Sequence, residues 1–372
     1  MRINYNSLPH QGIQTITPYT PGKSIETLSL PEVIKLASNE NPLGCSPQAQ
    51  NALNNISKHQ IATYPVSDDP TLIKKTADKL CVHPDMITLS NGSNALFPLI
   101  MTCFALHRNK HILSHEYAFM AYPLHAQTLN IPYISLPLLP NWQVDIDAII
   151  HATNEQTGLI LLANPNNPTG LLIPPSEIKR LLHNIPQSTI LVLDEAYFDY
   201  LTLENQSDIN ALLSKHPNLI VTRTFSKIYG LAGLRIGYAV ASAEITAILK
   251  KTLPPFTVNG AAIIAAKAAI SDSAFVKKSI RLNTKGLQQI QKGLDALHYQ
   301  SLPSVANFIT FECPKHAKEC FPYLLKKGII IRPLSPMGLH NYLRVSIGDT
   351  NQNHRLLDAL AQFKTTTDKN DE

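Results

Sequence analysis

Hydrophobic residues in the first two thirds of the chain form short runs that are separated by amphipathic stretches. Most of the runs are nearly continuous in Ile, Leu and Val, which is typical of strands buried on both faces. Helical patterns lie between them, as at Thr71–Leu80 and Asn94–Leu106. The alternation predicts an α/β fold, with a mostly parallel sheet and helices on both of its faces. The clearest predicted strands are Ile87–Ser90, Leu159–Ala163, Thr189–Leu193, Leu219–Thr222 and Ile236–Val240.

The pattern changes in the last third of the chain. Apolar residues recur at three, four or seven positions from Val276 to Leu297, which predicts one long amphipathic helix. Short predicted strands follow at Phe308–Phe311, Ile329–Ile331 and Leu343–Ile347, before a terminal helix. We expect three parts: residues 1–40 as an extended N-terminal arm and part of a small domain, residues 41–270 as a large domain, and residues 271–372 as the rest of the small domain.

Composition excludes several classes of protein. The 372 residues carry 32 Lys and Arg against 27 Asp and Glu, a net charge of +5 without any basic run, so we expect no nucleic-acid partner. The apolar stretches are too short or too interrupted to cross a bilayer, and the N-terminus lacks the apolar segment of a secretory signal. Five cysteines without C-x-x-C spacing predict reduced thiols in a cytoplasmic protein. We expect no metal site, because His107, His111 and His115 run into a predicted strand rather than along one helix.

Two familiar nucleotide motifs are incomplete. Gly22-Lys23-Ser24 lacks the first glycine of a P-loop, and Gly230, Gly233 and Gly237 have the wrong spacing for a dinucleotide fingerprint. The turn Asn91–Asn94, which connects a predicted strand to a predicted helix, is a candidate phosphate site of a different kind. Such a turn offers backbone N–H groups, a hydroxyl and the positive end of the helix dipole. A plain helix cap would show the same pattern.

The segment TRTFSKIYGLAGLRIGY, residues 222–238, is the most informative part of the chain. Lys227 follows a buried strand and has hydroxyls at Thr224 and Ser226 and a cation at Arg235. This set suits a cofactor whose aldehyde is captured by the amine and whose phosphate is held by its neighbours, as pyridoxal phosphate requires. A surface lysine in a glycine-rich loop is the alternative.

Two other predicted strands end in polar residues. Asn167 lies in the turn NPNNPTG after one strand, and Asp194 and Tyr197 follow the next. In open parallel sheets, ligands collect at the carboxyl ends of the strands. An aspartate there could keep a pyridine nitrogen protonated, and Asn167 and Tyr197 could donate to the ring oxygen. Each residue alone could equally be capping a turn.

Together these segments resemble the fold-type-I pyridoxal-phosphate aminotransferases and, within them, the histidinol-phosphate aminotransferase family. The similarity covers nearly the whole chain and implies a large cofactor-binding domain and a smaller α+β domain. The lysine and NPTG motifs are typical of the superfamily, and TRTFSK, GLAGLRIGY and the arm at Tyr19 are typical of the histidinol-phosphate branch. The matching motifs are PYTPGKSIE, KLASNENPLG, Tyr64-Pro65, ITLSNGSN, YAFMAYP, LLANPNNPTG, VLDEAY, TRTFSKIYGLAGLRIGY, PFTVN, SVANFITF and LRVSIG.

The resemblance implies a role for each matching residue. Lys227 would bind the cofactor and move a proton between substrate and cofactor, with Asp194 and Tyr197 as the other catalytic residues. Tyr64 would reach the cofactor phosphate of the partner subunit, which implies a homodimer. The remaining cofactor-binding residues would be Ser93, Asn94, Phe119 (stacked on the ring), Asn167, Thr224, Ser226 and Arg235. The substrate-binding residues would be Tyr19, Asn39, Arg332 and Arg344.

The implied reaction converts L-histidinol phosphate and 2-oxoglutarate to imidazole acetol phosphate and L-glutamate in histidine biosynthesis, by a ping-pong mechanism. Two alternatives stay open: a broad aromatic amino acid aminotransferase, and a lyase similar to threonine-phosphate decarboxylases. A regulator with an added DNA-binding domain is disfavoured, because the shared pattern begins within the first twenty residues. The chain departs from the family pattern at Ala95, Pro98, Ile228 and Met337.

Overall fold

The computed structural model describes residues 3–16, 32–313 and 316–371, with only the backbone for residues 367–371. The described strands are β1 Ile34–Lys35, β2 Ile87–Ser90, β3 His111–His115, β4 Tyr133–Leu136, β5 Thr157–Ala163, β6 Ile190–Asp194, β7 Leu219–Thr224, β8 Gly237–Ala241, β9 Phe308–Glu312, β10 Ile329–Ile330, β11 Arg332–Pro333 and β12 Tyr342–Ser346. The described α-helices are α1 Gln11–Gln14, α2 Pro47–Asn54, α3 Lys58–Ala62, α4 Pro70–Leu80, α5 Leu96–Phe104, α6 Ala121–Thr128, α7 Ile146–Ala152, α8 Pro175–Asn184, α9 Ile209–Leu213, α10 Ala243–Thr252, α11 Gly260–Ala269, α12 Ser273–Ala296, α13 Ala317–Lys326 and α14 Thr350–Asp371.

Seven strands form the large sheet, in the order β2-β8-β7-β6-β5-β3-β4. Neighbours from β7 to β4 are parallel, whereas β8 is antiparallel to both β7 and β2. The predicted α/β fold with a mostly parallel sheet is therefore confirmed. The sequence does not predict β4, because this edge strand is only partly buried and lacks a continuous apolar run.

Alternate residues of each central strand enter different cores. In β5, Ile160 and Leu162 pack in a core with helices α4, α7, α8, α9 and α11. Leu159 and Leu161 pack on the other face with α5, α6 and α10. This period of two follows from strand geometry and explains why both positions are apolar. Helices thus cover both faces of the sheet.

The C-terminal unit has a separate core. Its antiparallel sheet, in the order β11-β12-β9, packs with the predicted long helix α12 and with α13 and α14. Strand β1 pairs in parallel with β10, so residues before position 40 join this unit. The domain boundaries at 40/41 and 270/271 stay predictions.

The N-terminal segment is not extended throughout, as the sequence suggested. Residues Gln11–Gln14 form α1, and Thr15 at its C-terminal end accepts a hydrogen bond of 2.8 Å from Gln127 Nε2 of α6. A short helix that packs against α6 replaces the extended conformation predicted for this segment. Across the described ranges, no helix has both the length and the apolar character to cross a membrane.

Candidate active site

The carboxyl ends of three neighbouring parallel strands meet at one edge of the large sheet. Asn167 lies in the turn after β5, Asp194 ends β6 and Thr224 ends β7. A cavity of about 380 Å³ opens at this edge. Its lining is Ser38, Glu40, Ser93, Asn94, Phe119, Ala163, Pro165, Asn167, Asp194, Ala196, Tyr197, Thr224, Ser226, Lys227, Ala232 and Arg235.

Lys227 places its amine in this cavity. Its Nζ donates a hydrogen bond of 3.0 Å to the backbone oxygen of Ser38. Burial, followed by the charge of Arg344, lowers the pKa of Lys227 to about 8. A lysine with a lowered pKa is a nucleophile closer to neutral pH than an exposed lysine is.

Asp194 is 5% exposed and is held by two hydroxyls. Tyr122 Oη donates to Oδ2 at 3.1 Å, and Thr222 Oγ1 donates to Oδ1 at 3.2 Å. Burial raises the pKa of Asp194 to about 6, against the lowering by these two hydrogen bonds. Sequence reasoning gave neither donor a role. Thr222 could have been found, because it lies two residues before Thr224 and so faces the same side of β7.

A chain of polar contacts joins Tyr197 to the small sheet. The Tyr197 hydroxyl accepts from Asn39 Nδ2 at 2.9 Å and from Asn167 Nδ2 at 3.2 Å. The guanidinium of Arg344 donates to Asn167 Oδ1 and, at 2.9 Å, to the backbone oxygen of Ala37. Arg332 is the cross-strand partner of Arg344. The two predicted substrate-binding arginines are therefore opposite each other in the small sheet, and Arg344 contacts Asn167 of the cavity lining.

A cup of hydrogen-bond donors forms at the other end of the cavity. Gly92 has a φ of 79°, and a Cβ there would lie 2.6 Å from Nη2 of Arg235. A Cβ at Gly237 would lie 2.6 Å from the backbone nitrogen of Ser93. Arg235 also donates to Ser226 Oγ at 3.3 Å. The close packing brings a guanidinium, hydroxyls and backbone N–H groups together, as an anion requires.

The helix behind the cup starts in two steps. Residues Ser93–Ala95 form a 3₁₀ turn and α5 begins at Leu96, which places Pro98 in its first turn. Proline is tolerated there because its missing N–H would have had no partner within the helix. Asn94 Oδ1 is buried and has no hydrogen-bond partner among the described residues. The departures from the family pattern at Ala95 and Pro98 thus leave the turn intact.

The donor set fits pyridoxal 5′-phosphate. The cavity holds an amine for the aldehyde, a buried carboxylate for the ring nitrogen and the donor cup for the phosphate. Phe119 lines the same cavity and contacts Phe97 and Tyr122 edge-on, with ring centres 6.3 and 5.6 Å apart. The fold and the site together define a fold-type-I pyridoxal-phosphate enzyme.

One predicted cofactor-binding residue lies away from this cavity. Tyr64 is 80% exposed and stacks on Phe256, with ring centres 4.3 Å apart, at a separate surface cavity of about 450 Å³. Arg332 is buried within the small sheet. Tyr19 lies outside the described residues. A single chain therefore brings the predicted cofactor-binding residues together except for Tyr64.

Comparison with known proteins extends this result from the fold to the family. Residues 31–360 match the family described as aminotransferase class I and II. A protein of Legionella pneumophila (strain Lens), named histidinol-phosphate aminotransferase 2, is 50% identical over 369 residues, which is 98% of this chain and 100% of that protein. The chain belongs to the class I and II aminotransferases, and it is a pyridoxal-phosphate-dependent transaminase.

Solved structures share the fold. The histidinol-phosphate aminotransferase of Sinorhizobium meliloti, in complex with pyridoxal-5′-phosphate, has a TM-score of 0.88 at 24% identity and covers 97% of this chain and 98% of its own. The L-threonine-O-3-phosphate decarboxylase of Porphyromonas gingivalis has a TM-score of 0.78 at 26% identity, over 89% and 99% of the two chains. Because a transaminase and a lyase share the architecture, the substrate has to be argued from the site.

Proposed function

We propose that the protein transfers the amino group of L-histidinol phosphate to 2-oxoglutarate in histidine biosynthesis, giving imidazole acetol phosphate and L-glutamate. The observation that carries the proposal is Arg344, whose guanidinium contacts Asn167 at the wall of the cavity, beside Arg332. Arginine holds phosphate and carboxylate by the same bidentate geometry, so one site can take both substrates in turn. The 50% identity to a histidinol-phosphate aminotransferase supports this choice of donor.

Pyridoxal phosphate supplies a protonated aromatic ring that stabilises negative charge developing at the substrate Cα. Lys227 would remove the Cα proton and return it to the cofactor carbon, and its lowered pKa suits this exchange near neutral pH. Asp194 would keep the ring nitrogen protonated. Tyr197 and Asn167 would orient the ring through its phenolic oxygen.

Most of the remaining residues would hold either the phosphate of the cofactor or the anionic group of the substrate. Phe119 would stack on the ring, and the cup residues Ser93, Asn94, Thr224, Ser226 and Arg235 would hold the cofactor phosphate. Arg344 and Arg332 would hold the substrate phosphate or carboxylate. Asn39 would act through Tyr197, to which it donates. Tyr19 would approach the substrate from the N-terminal segment.

We further propose a cytoplasmic homodimer. The face that carries Tyr64 also exposes Ile61, Val66 and Phe256. A cluster of exposed large apolar side chains is typical of a protein–protein interface. Molecular mass measured by light scattering should correspond to two chains, and the doubly substituted variant Tyr64→Ser/Phe256→Ser should shift it towards one.

The proposed reaction is tested by its first half. The absorbance of bound pyridoxal phosphate is followed after separate addition of L-histidinol phosphate, L-glutamate, L-phenylalanine or L-threonine phosphate. We expect conversion to the pyridoxamine form to be fastest with histidinol phosphate and clear with glutamate. Faster conversion by phenylalanine would indicate a broad aromatic aminotransferase, and CO₂ release from threonine phosphate would indicate a lyase.

The lysine variant controls this experiment. Lys227→Ala should lose turnover and the absorption band of the covalently bound cofactor, while the phosphate cup still binds pyridoxal phosphate non-covalently. Turnover retained in this variant would contradict the assignment of Lys227.

A further inference from the structure

Two carboxylates line the cavity among the described residues, and their surroundings differ. Asp194 is buried and accepts hydrogen bonds from Tyr122 and Thr222. Glu40 is 43% exposed in its side chain, and its Oε1 lies 2.7 Å from Nζ of Lys35. Glu40 is therefore the carboxylate that remains available to a bound substrate.

The backbone around Glu40 is held firmly. Ser38 accepts the hydrogen bond of Lys227, Asn39 N donates to Ser346 Oγ at 2.7 Å, and Asn41 Nδ2 donates to the Ile228 backbone oxygen at 2.9 Å. A side chain presented by a backbone that is fixed on both sides can make a geometrically specific contact. Glu40 thus has the rigid support that a recognition residue needs.

Charge is distributed unevenly around the reactive amine. Arg344 and Arg235 both lower the pKa of Lys227, whereas Glu40 raises it, so the Glu40 carboxylate lies close enough for its field to reach the amine. The arginines provide sites for anions. A cationic or N–H-bearing group of the substrate would find its acceptor at Glu40.

We propose that Glu40 accepts a hydrogen bond from the imidazole ring of the amino donor and thereby selects imidazole over phenyl side chains. The inference rests on the proposed function, which supplies the imidazole. An analogue whose ring lacks an N–H would lose this hydrogen bond to a charged acceptor, so it should react less well than the imidazole donor. Lys35 would neutralise Glu40 when no donor is bound.

A pair of donors that differ only in their ring tests the proposal. The half-reaction is measured with L-histidinol phosphate and with L-phenylalaninol phosphate, for the wild type and for Glu40→Gln. We expect kcat/KM for histidinol phosphate to fall about 10- to 100-fold in the variant, as for the loss of a charged hydrogen bond. The value for the phenyl analogue and for L-glutamate should change by less than about three-fold, because their contacts are elsewhere.

Two variants serve as controls. Lys35→Met removes the ion-pair partner and keeps the carboxylate, so the preference for imidazole should persist. Glu312→Gln changes a carboxylate in β9 that is not part of the cavity lining and should leave both donors unaffected.

Two results would overturn the inference. Equal loss with all donors would mean that Glu40 acts through Lys227, and unchanged histidinol phosphate kinetics would mean that the ring binds elsewhere. Failure of the proposed function is a separate result, since it would appear as the absence of amino transfer from histidinol phosphate in the wild type.

Discussion

Asp194 and Glu195 are consecutive residues in the chain, yet they lie on opposite sides of the large sheet. Asp194 faces the cavity and is held by neutral hydroxyls. Glu195 is 2% exposed and faces the other side, where it forms an ion pair of 2.7 Å with Arg223. The guanidinium carbon of Arg223 lies 3.5 Å from the ring centre of Phe198. Within the described ranges, Asp194 is thus buried without an ion-pair partner, whereas Glu195 is buried in an ion pair with Arg223.

The different surroundings indicate a ligand-binding role for Asp194 and a structural role for Glu195. Burial raises the pKa of Asp194 to about 6, because it destabilises the charged carboxylate. A bound cation would stabilise this carboxylate, and a protonated pyridine ring is such a cation. Burial also raises the pKa of Glu195, but the charge of Arg223 opposes that shift. Burial alone would lower the pKa of Arg223, but Glu195, together with Tyr238 and Asp199, makes the net shift upward. The ion pair ties the ends of β6 and β7 together behind the site.

Breaking the ion pair should produce the largest effect. Glu195→Ala leaves the Arg223 guanidinium buried without a carboxylate, which we expect to cost about 3–5 kcal/mol in the free energy of unfolding. Chemical denaturation of the apoenzyme measures this loss. The double variant Glu195→Met/Arg223→Met should recover most of it, because an apolar pair replaces both charges. If the double variant is as unstable as the single one, packing rather than charge explains the effect.

Removing the other acid should act mainly on catalysis. Asp194→Asn keeps the shape of the side chain and removes the charge that would hold the ring nitrogen protonated. We expect kcat to fall by at least about 100-fold, the scale found for loss of one electrostatic contact in a reaction centre. Steady-state kinetics with saturating cofactor measures it. A rate within ten-fold of the wild type would argue against this role of Asp194.

The pKa of Asp194 also predicts how the apoenzyme responds to pH. Because the folded-state pKa of about 6 exceeds the usual 3.8, the folded state binds the proton more tightly than the unfolded state. Protonated Asp194 therefore stabilises the folded state by about 3 kcal/mol below about pH 4. This contribution to the free energy of unfolding is lost as the pH rises to about 6. The stability of Asp194→Asn relative to the wild type should therefore increase from pH 4 to pH 7. Equal pH profiles for the two proteins would contradict the raised pKa.

The smallest effect concerns the hydroxyl that tunes Asp194. Tyr122→Phe removes a hydrogen bond to the charged carboxylate, so the pKa of Asp194 should rise further while Thr222 still donates. We expect a loss of about 1 kcal/mol, or about five-fold, in the affinity of the apoenzyme for pyridoxal phosphate. Fluorescence titration with the cofactor measures it. Tyr133→Phe offers a matched control, since no hydrogen bond joins Tyr133 to Asp194 among the described contacts.

Sequence reasoning recovered the parts of the molecule that depend on local pattern. Continuous apolar runs predicted the central strands, and polar residues at strand ends predicted Asn167 and Asp194. Residues that act through distant partners were missed. Tyr122 lies 72 positions from Asp194, and the pairing of Glu195 with Arg223 spans 28 positions. Such partners meet because of the order of the strands in the sheet, and the residue pattern of a single strand does not predict that order.

A glycine of the donor cup, Gly92, also constrains how the sequence can diverge. A side chain at Gly92 would meet Arg235, and the positive φ disfavours any other residue there. Gly233 lies in the 3₁₀ turn Ala232–Leu234, two residues before Arg235, and a Cβ there would meet nothing within 4 Å. A library randomised at both codons and selected for function should return glycine almost alone at position 92 and a broad set of residues at position 233. Position 92 therefore tolerates almost no substitution during evolution, whereas position 233 tolerates many.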